Sequence, residues 1–564
     1  MPLPGTEPTP APSALRRAAP WAVTAFALVL GFALLFDGAG RTSATYDEVA
    51  YMQIAARWYR TGDQAEITRM GSPLTFWKLQ QAASLWWLDS TGRRAWIDDP
   101  IQHQATLLPA LRRGALWIWI AAFALTALWA RSLYGNAAMA LAAWLFALGP
   151  NLVAHAGLIT MELPVTLFWL VASFTYWKFL ETHRKRWFVA SALGAGVAFS
   201  CKFTAILLPP LLAAVALAHS CLINKSLNLK IIKSICTHSI IYLIVMMLGN
   251  LVVTGFATLP ISTRQGNHPS IQSPFLAWLI EQPFPSDWAG FLVQIRHQRS
   301  GGWSYLLGER RLHGWWYYYL VALAVKVPIA IFVLAAARVW QSIQIPPPRA
   351  NSRQVMLWLM PLGFVLIASL GSGRNYGVRY LLPVAPLFII WLSGLLAARD
   401  QTPRYPCAPL VALLSALGIA WVTCSIHPNH LSYFNALAGG TAGGRVILAD
   451  SNLDWGQGAR ALASLQANDP RFADLTLYYF GATEPRHYGV VGRCHVIDAG
   501  SVHPTLPAHL TCDTTYLGVS SSLRWGPWGP PDYFQALHSR IPIAFTSDGT
   551  IAIYQNPFRL DHPR

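Results

Sequence analysis

Charge is what this sequence has least of. Asp, Glu, Lys and Arg make up only 12% of its 564 residues, about half the ~25% of a soluble globular chain. That is too little to coat a soluble protein of this size. Acids are the scarcer sign, 25 against 42 Lys and Arg, for a net charge of +17. Cysteine is sparse too. None of the seven forms a C-x-x-C pair, which removes the zinc and thiol-redox signatures. There is no glycine-rich nucleotide loop and no internal repeat.

What is present is apolar sequence in blocks of about twenty residues, the length a helix needs to cross a bilayer core. The 25 Trp, 20 Tyr and 25 Phe gather at block ends, as in the aromatic belts of membrane interfaces. The pattern predicts a polytopic α-helical membrane protein of about eleven spans. The first is Trp21–Phe36, followed by 113–130, 134–153, 163–180, 187–201, 203–220, 235–255, 316–337, 355–371, 380–397 and 407–425. Between 187 and 220 the only polar break is Cys201-Lys202, which allows two short helices or one kinked one. Lys178, Arg184, Lys185 and Arg186 make one basic loop, Lys225, Lys230 and Lys233 a second, Arg338, Arg349 and Arg353 a third, and Arg399 with Arg404 a fourth. All four face the cytoplasm if the N-terminus does. The excess charge is thereby accounted for without nucleic acid. A plasma-membrane protein with its C-terminal domain outside the cytoplasm is expected.

The expected organisation is a disordered N-terminus over 1–17, a membrane domain over 18–426 with outer loops 37–112 and 256–315, and a small α/β domain over 427–564. In that tail Arg445–Ala449, Leu475–Tyr479 and Thr515–Val519 read as strands. Asn452–Gln466 and Asp532–Ser539 read as helices, and Ser547-Asp-Gly-Thr reads as a hairpin turn. Cys494 and Cys512 share the tail and could pair if it meets an oxidising compartment, which the sequence alone leaves open.

Chemistry-bearing residues concentrate on the predicted outer side. Thr45-Tyr-Asp-Glu48 opens a helix whose Val49, Met52, Ala56 and Tyr59 share one face, suited to lying in the interface. Thr45-x-x-Glu48 fits a capping box. Asp47 and Glu48, about 100° apart on a helix, cannot share a role, and one of them is a candidate general base. Glu162, in His155-Ala-Gly-Leu-Ile-Thr-Met-Glu-Leu-Pro164, sits where a helix begins or where a second acid faces the first. Lys202 lies between apolar runs, either snorkelling to the interface or meeting an anion. Arg374 and Arg379 put positive charge in an outer loop and can grip phosphate. Lys326 raises the same question. Glu309 and His313 have the spacing of one helical face or a metal pair, against which Gly308 and Gly314 argue. Asp454 and Trp455 lie in Asp450-Ser-Asn-Leu-Asp-Trp-Gly-Gln457, where Ser451-x-x-Asp454 again fits a helix cap and a free helix start can bind an anion or a sugar hydroxyl.

In order along the chain, Asp47-Glu48, His155–Pro164, Tyr305-Leu-Leu-Gly-Glu, His313-Gly-Trp-Trp-Tyr-Tyr, Val378-Arg-Tyr-Leu-Leu-Pro-Val-Ala-Pro386, His427-Pro-Asn-His-Leu-Ser-Tyr-Phe-Asn435 and Asp450–Gln457 resemble bacterial membrane glycosyltransferases of family 39. That group includes protein O-mannosyltransferases and relatives of the aminoarabinose transferase. The resemblance implies a polyprenyl-phosphate-linked sugar as donor and a site at the outer membrane face, with an acceptor hydroxyl on a protein, glycolipid or glycan. It implies Asp47 as base supported by Glu48, with Glu162 standing where the family often has Asp. Arg379, Lys202 and Arg374 are candidates for the donor phosphate, and His313, Glu309, Asp454 and Trp455 for substrate. No cofactor is implied; a divalent metal is compatible but not required. The rival reading is a polytopic transporter or lipid flippase, which would favour paired halves and charges deep in the spans.

Overall fold

The computed structural model describes residues 14–63, 75–223, 228–260, 273–344, 352–371, 373–397, 406–498, 513–528, 534, 537 and 539–558. The pairing of Cys494 with Cys512 and most of the helix expected at Asp532–Ser539 fall outside them.

All eleven expected spans are helical. Seven of these helices are long and apolar enough to cross a membrane, and two bent pairs raise the number to nine. The bends have an evident cause. Asn136–Leu148 and Pro150–Ala156 meet at 60°, and Tyr318–Lys326 and Ile329–Gln344 at 105°. Pro150 or Pro328 stands at each break, where a missing N–H and a bulky ring stop the helix. The two remaining segments, Lys185–Cys201 and Val355–Gly371, are 17 residues each. At 1.5 Å per residue that is about 26 Å, short of the roughly 30 Å hydrocarbon core. The Cys201-Lys202 break is a true one. Lys202 is extended (φ −156°, ψ 133°) between the helix ending at Cys201 and the 3-10 turn Phe203–Leu207. This is a multi-pass membrane protein. The first helix starts at Ala14, within the stretch expected to be disordered.

The C-terminal domain is built on a five-stranded mixed sheet. Its strands are β1 (Leu475–Phe480), β2 (Arg493–Ile497), β3 (Tyr516–Ser520), β4 (Ala544–Phe545) and β5 (Ile551–Gln555), in the order β2-β1-β3-β5-β4. The inner pairs β1–β2 and β1–β3 are parallel, and β5 runs antiparallel to both β3 and β4. Ser547–Thr550 makes the expected turn before β5, with Gly549 at φ 70°.

Three details differ from the sequence reading. Arg445–Ala449 is no strand. Its Ile447 and Leu448 amides return to the Gly444 carbonyl, and the Ile447 carbonyl accepts from Leu307 of the second long loop, so its backbone is spent on another element. The helix expected from Asn452 begins only at Ala459. Residues 452–457 are irregular because their backbone binds the segment before Asp47, and Gly456 takes φ 89°. The apolar face of Tyr46–Thr61 is not laid into the interface. Val49, Met52 and Ala56 pack with Leu477, Tyr479 and Ile553 of the C-terminal sheet in one core. The C-terminal domain is thus docked on the helix that carries the first acid pair.

Candidate functional site

Asp47 and Glu48 point into different surroundings. The helix Tyr46–Thr61 opens with the capping box that the sequence suggested: Glu48 Oε2 accepts from the Thr45 amide at 3.0 Å and from Thr45 Oγ1 at 3.0 Å. Arg112 then forks onto both Glu48 oxygens, Nε to Oε1 at 2.9 Å and Nη2 to Oε2 at 2.6 Å. The Ile159 amide adds 2.9 Å to Oε1. Arg112 spends its other donors on the carbonyls of Ala39, Thr42 and Ser43. Both side chains of this pair are fully buried. Glu48 therefore has no free lone pair for a substrate. It ties the end of the first span, the start of the Asp47 helix and the 159 segment into one rigid corner.

Asp47, about 100° around the helix, faces a cavity of about 470 Å³. Four charges meet at its wall. Arg379 Nη1 lies 3.0 Å from Asp47 Oδ2 and 3.6 Å from Glu162 Oε1, and Lys202 Nζ lies 3.0 Å from the same Glu162 oxygen. Two acids and two bases balance, which is what makes such burial tolerable. Each is placed by a local device. Glu162 is the first residue of the helix Glu162–Thr182, where a negative charge suits the dipole. Lys202 sits at the extended break, and its ammonium lies 4.0 Å from the centre of the Tyr380 ring. Arg379 follows Gly377, whose φ of 127° bars a side chain, and enters the 3-10 turn Val378–Val384. Asp47 keeps some access to the cavity while the other three are nearly enclosed. Burial pushes the Asp47 carboxyl above its ordinary value, against the pull of Arg379.

The cavity is two-faced. Tyr51 and Tyr380 join the charged end, Phe203, Phe291, Phe364 and Ile367 form an apolar wall, and Gln298 and Arg299 reach in from the second long loop. A chamber with ionic groups at one end and hydrocarbon along its side fits an amphiphile with a charged head.

The C-terminal domain packs against the charge cluster through Arg379. The Trp455 indole covers the Arg379 guanidinium, 3.9 Å from Cζ to the ring centre. The turn that carries Trp455 grips the segments that lead into Asp47 and into Arg379. The Trp455 carbonyl accepts from the Tyr46 amide at 2.7 Å, and the Gln457 carbonyl from the Ser43 amide at 3.3 Å. On its other flank Ser451 Oγ donates to the Tyr376 carbonyl, and Asn452 Oδ1 accepts from the Val378 amide at 3.0 Å. Residues directly before Asp47 and directly before Arg379 are therefore held by one eight-residue turn.

The structure thus brings together Asp47, Glu162, Lys202, Arg379 and Trp455, and leaves the other sequence candidates outside. Asp454 is buried among backbone donors, accepting from the Ser522 amide at 2.9 Å and the Gly456 amide at 3.2 Å. Arg374 donates to the His297 carbonyl and to Tyr376 Oη, away from the cavity lining. Glu309 lies in a strand of the hairpin 304–311 and pairs with Arg311; His313 follows the hairpin, so the two share no helical face. Lys326 is a pin, its ammonium donating to the carbonyls of Leu431 at 2.9 Å and Asn452 at 2.6 Å. Sequence reasoning missed Tyr51, Tyr380 and Arg299. Tyr51 was findable, four residues beyond Asp47 on the same helix face.

Fold and site together define a multi-pass helical membrane protein whose C-terminal α/β domain closes over a buried four-charge cluster. Residues 104–252 match the family model described as dolichyl-phosphate-mannose-protein mannosyltransferase, in agreement with the resemblance carried by the motifs. No curated protein matches the sequence. Two crystal structures of ArnT from Cupriavidus metallidurans align over nearly the full length at 14% identity. One, bound to undecaprenyl phosphate, covers 96% of this chain and 98% of that chain with a TM-score of 0.47. The other, in the apo state, covers 97% and 100% with a TM-score of 0.48.

Proposed function

We propose that this protein is an inverting glycosyltransferase that moves a sugar from a polyprenyl phosphate to an acceptor hydroxyl at the outer face of the plasma membrane, its N-terminus being cytoplasmic. The observation that carries the reading is the pairing of Asp47 with Arg379 at the charged end of a half-apolar cavity. The ordered motifs and the family match over 104–252 support it.

The apolar wall takes the first isoprene units, and the phosphate meets Arg379 and Lys202. In taking Arg379, the phosphate competes with Asp47 for the same guanidinium, so donor binding releases the carboxylate. Asp47, deprived of that positive partner, becomes the stronger base. The acceptor oxygen then attacks the anomeric carbon from the face opposite the phosphate, giving its proton to Asp47. The bond from that carbon to the phosphate oxygen breaks, and polyprenyl phosphate leaves with the electron pair. Arg379 and Lys202 meet the charge growing on it, so the reaction as proposed requires no cofactor. Oriented charge of this kind is commonly worth about 10²–10³ in rate, and the general base about 10²–10⁴.

The test uses purified protein in detergent with total lipid-linked sugars extracted from the source membranes and a hydroxyl-bearing acceptor fraction from the same cells. Wild type is expected to release free polyprenyl phosphate, and Asp47→Asn to release none while remaining folded. Equal release by the variant would reject Asp47 as base, and no release by wild type would reject the reading itself. The sugar and acceptor are then read by mass spectrometry of the product.

A further inference from the structure

Two arginines of the C-terminal domain have no carboxylate partner among the described residues. Arg445, at 8% exposure, and Arg524, at 7%, are both buried. Each has a buried Nε without a hydrogen-bond acceptor, and so does the hydroxyl of the nearby Tyr554. The only side-chain hydrogen bond of Arg524 among the described residues goes from Nη2 to the Leu537 carbonyl, at 2.6 Å, and the Arg445 guanidinium makes none. Among the described residues no carboxylate acts on either group; both feel the Tyr554 phenol, Arg445 also feels Arg524, and burial lowers the affinity of both for their proton.

Aromatic faces hold the pair in place. Arg445 lies 3.7 Å over the Phe545 ring and 5.6 Å from the Trp525 ring, while Arg524 lies 4.0 Å over Trp525 and 5.1 Å from Tyr554. Cation–π contacts of this sort contribute to stability, but they use none of the N–H donors at the guanidinium edges, of which, among the described residues, only Arg524 Nη2 has found an acceptor. An arginine cannot escape by losing its proton, so two such groups around one Trp525 ring, each with a buried and unpartnered Nε, favour an anion with several acceptor oxygens.

We propose that Arg445, Arg524 and Tyr554 form an oxyanion subsite for a phosphate group, separate from the four-charge cluster. A phosphate offers enough oxygens for both guanidinium edges and the phenol together. The proposal does not depend on the transferase reading. The phosphate is either free in solution or borne by a lipid, and the chemistry of capture is the same.

The experiment measures thermal unfolding of the full-length protein in a non-ionic detergent. One arm adds inorganic phosphate, a second adds short-chain phosphatidic acid, and chloride at matched ionic strength is the control. At saturation the midpoint of wild type is expected to rise by about 2 °C or more. A rise with inorganic phosphate assigns the site to a soluble phosphate, and a rise with the lipid alone assigns it to a lipid-borne one. Arg524→Gln should weaken binding at least tenfold. Arg445→Met, which keeps a stem between the rings and removes an unanswered charge, should abolish the response yet melt no lower than wild type without phosphate. If the aromatic stack is purely structural, neither ligand moves wild type and Arg445→Met melts lower. That result, or a response that survives in both variants, overturns the subsite.

Discussion

The indole of Trp455, from the C-terminal domain, lies over the guanidinium of Arg379, from the membrane domain, at 3.9 Å from Cζ to the ring centre. The same guanidinium reaches Asp47 at 3.0 Å. A tail residue thereby sets the position of the group that holds the proposed base. Trp455→Ala should lower transfer about 10-fold or more, the scale of a buried cation–π contact of about 2 kcal/mol. Trp455→Phe, which keeps a ring face, should recover most of it. Initial rates of polyprenyl phosphate release, normalised to folded protein, check both. Equal rates for Ala and Phe would show that the ring face is immaterial.

Adjacent acids should fail in opposite ways. Glu48 is locked by Arg112 with both side chains fully buried. Glu48→Gln leaves that arginine unanswered and should destabilise the fold by about 3–5 kcal/mol. Asp47→Asn should leave the unfolding midpoint within a few degrees of wild type and abolish transfer. Melting curves and release assays on the two variants separate the roles. A stable, inactive Glu48→Gln would return Glu48 to the catalytic set.

Because burial raises the Asp47 carboxyl, and a base works only when ionised, the acid limb of transfer should lie above the usual carboxylate range. The rate should climb as pH rises through that limb. A profile of kcat/KM between pH 4 and 8 reads it directly. A limb at or below pH 4 would mean that Arg379 dominates over burial.

The pH dependence of stability follows different groups. Burial pushes Asp454 up to about 7 and Asp450 up to about 6. A carboxyl raised on folding binds its proton more tightly in the folded state. Its contribution is therefore complete below pH 4, its unfolded value, and is lost as pH rises through 6 and 7. Unfolding midpoints measured from pH 4 to 8 should fall across that window, and Asp454→Asn together with Asp450→Asn should flatten the fall.

Much of this arrangement was legible in the sequence because it rests on short-range rules. Apolar runs marked all eleven helical segments, and the Thr45-x-x-Glu48 cap is present as spaced. What sequence could not supply was long-range pairing. Nothing near Glu48 announces Arg112, 64 residues away. Nothing near Asp47 announces Arg379, 332 residues away. The motif Asp450–Gln457 looked like a helix start because Ser451 and Asp454 have cap spacing. In the structure those residues face Tyr376 and Ser522 instead, since the turn is shaped by what it grips.

Glu162 offers the sharpest sign test of the charge cluster. It accepts from Lys202 at 3.0 Å and stands 3.6 Å from Arg379, so it offsets positive charge that a donor phosphate would otherwise meet. Glu162→Gln keeps the shape and removes one negative charge, leaving the cluster with a net +1. Donor binding should tighten, giving a lower KM, because the phosphate no longer competes with a second carboxylate. At the same time kcat should fall, since Arg379 loses one of the two negative charges that place it beside Asp47 and the two cations repel. The opposite pattern, a raised donor KM with kcat preserved, would mean that Glu162 contacts the sugar itself rather than balancing the cations. Steady-state kinetics of the one variant against wild type decides between the two.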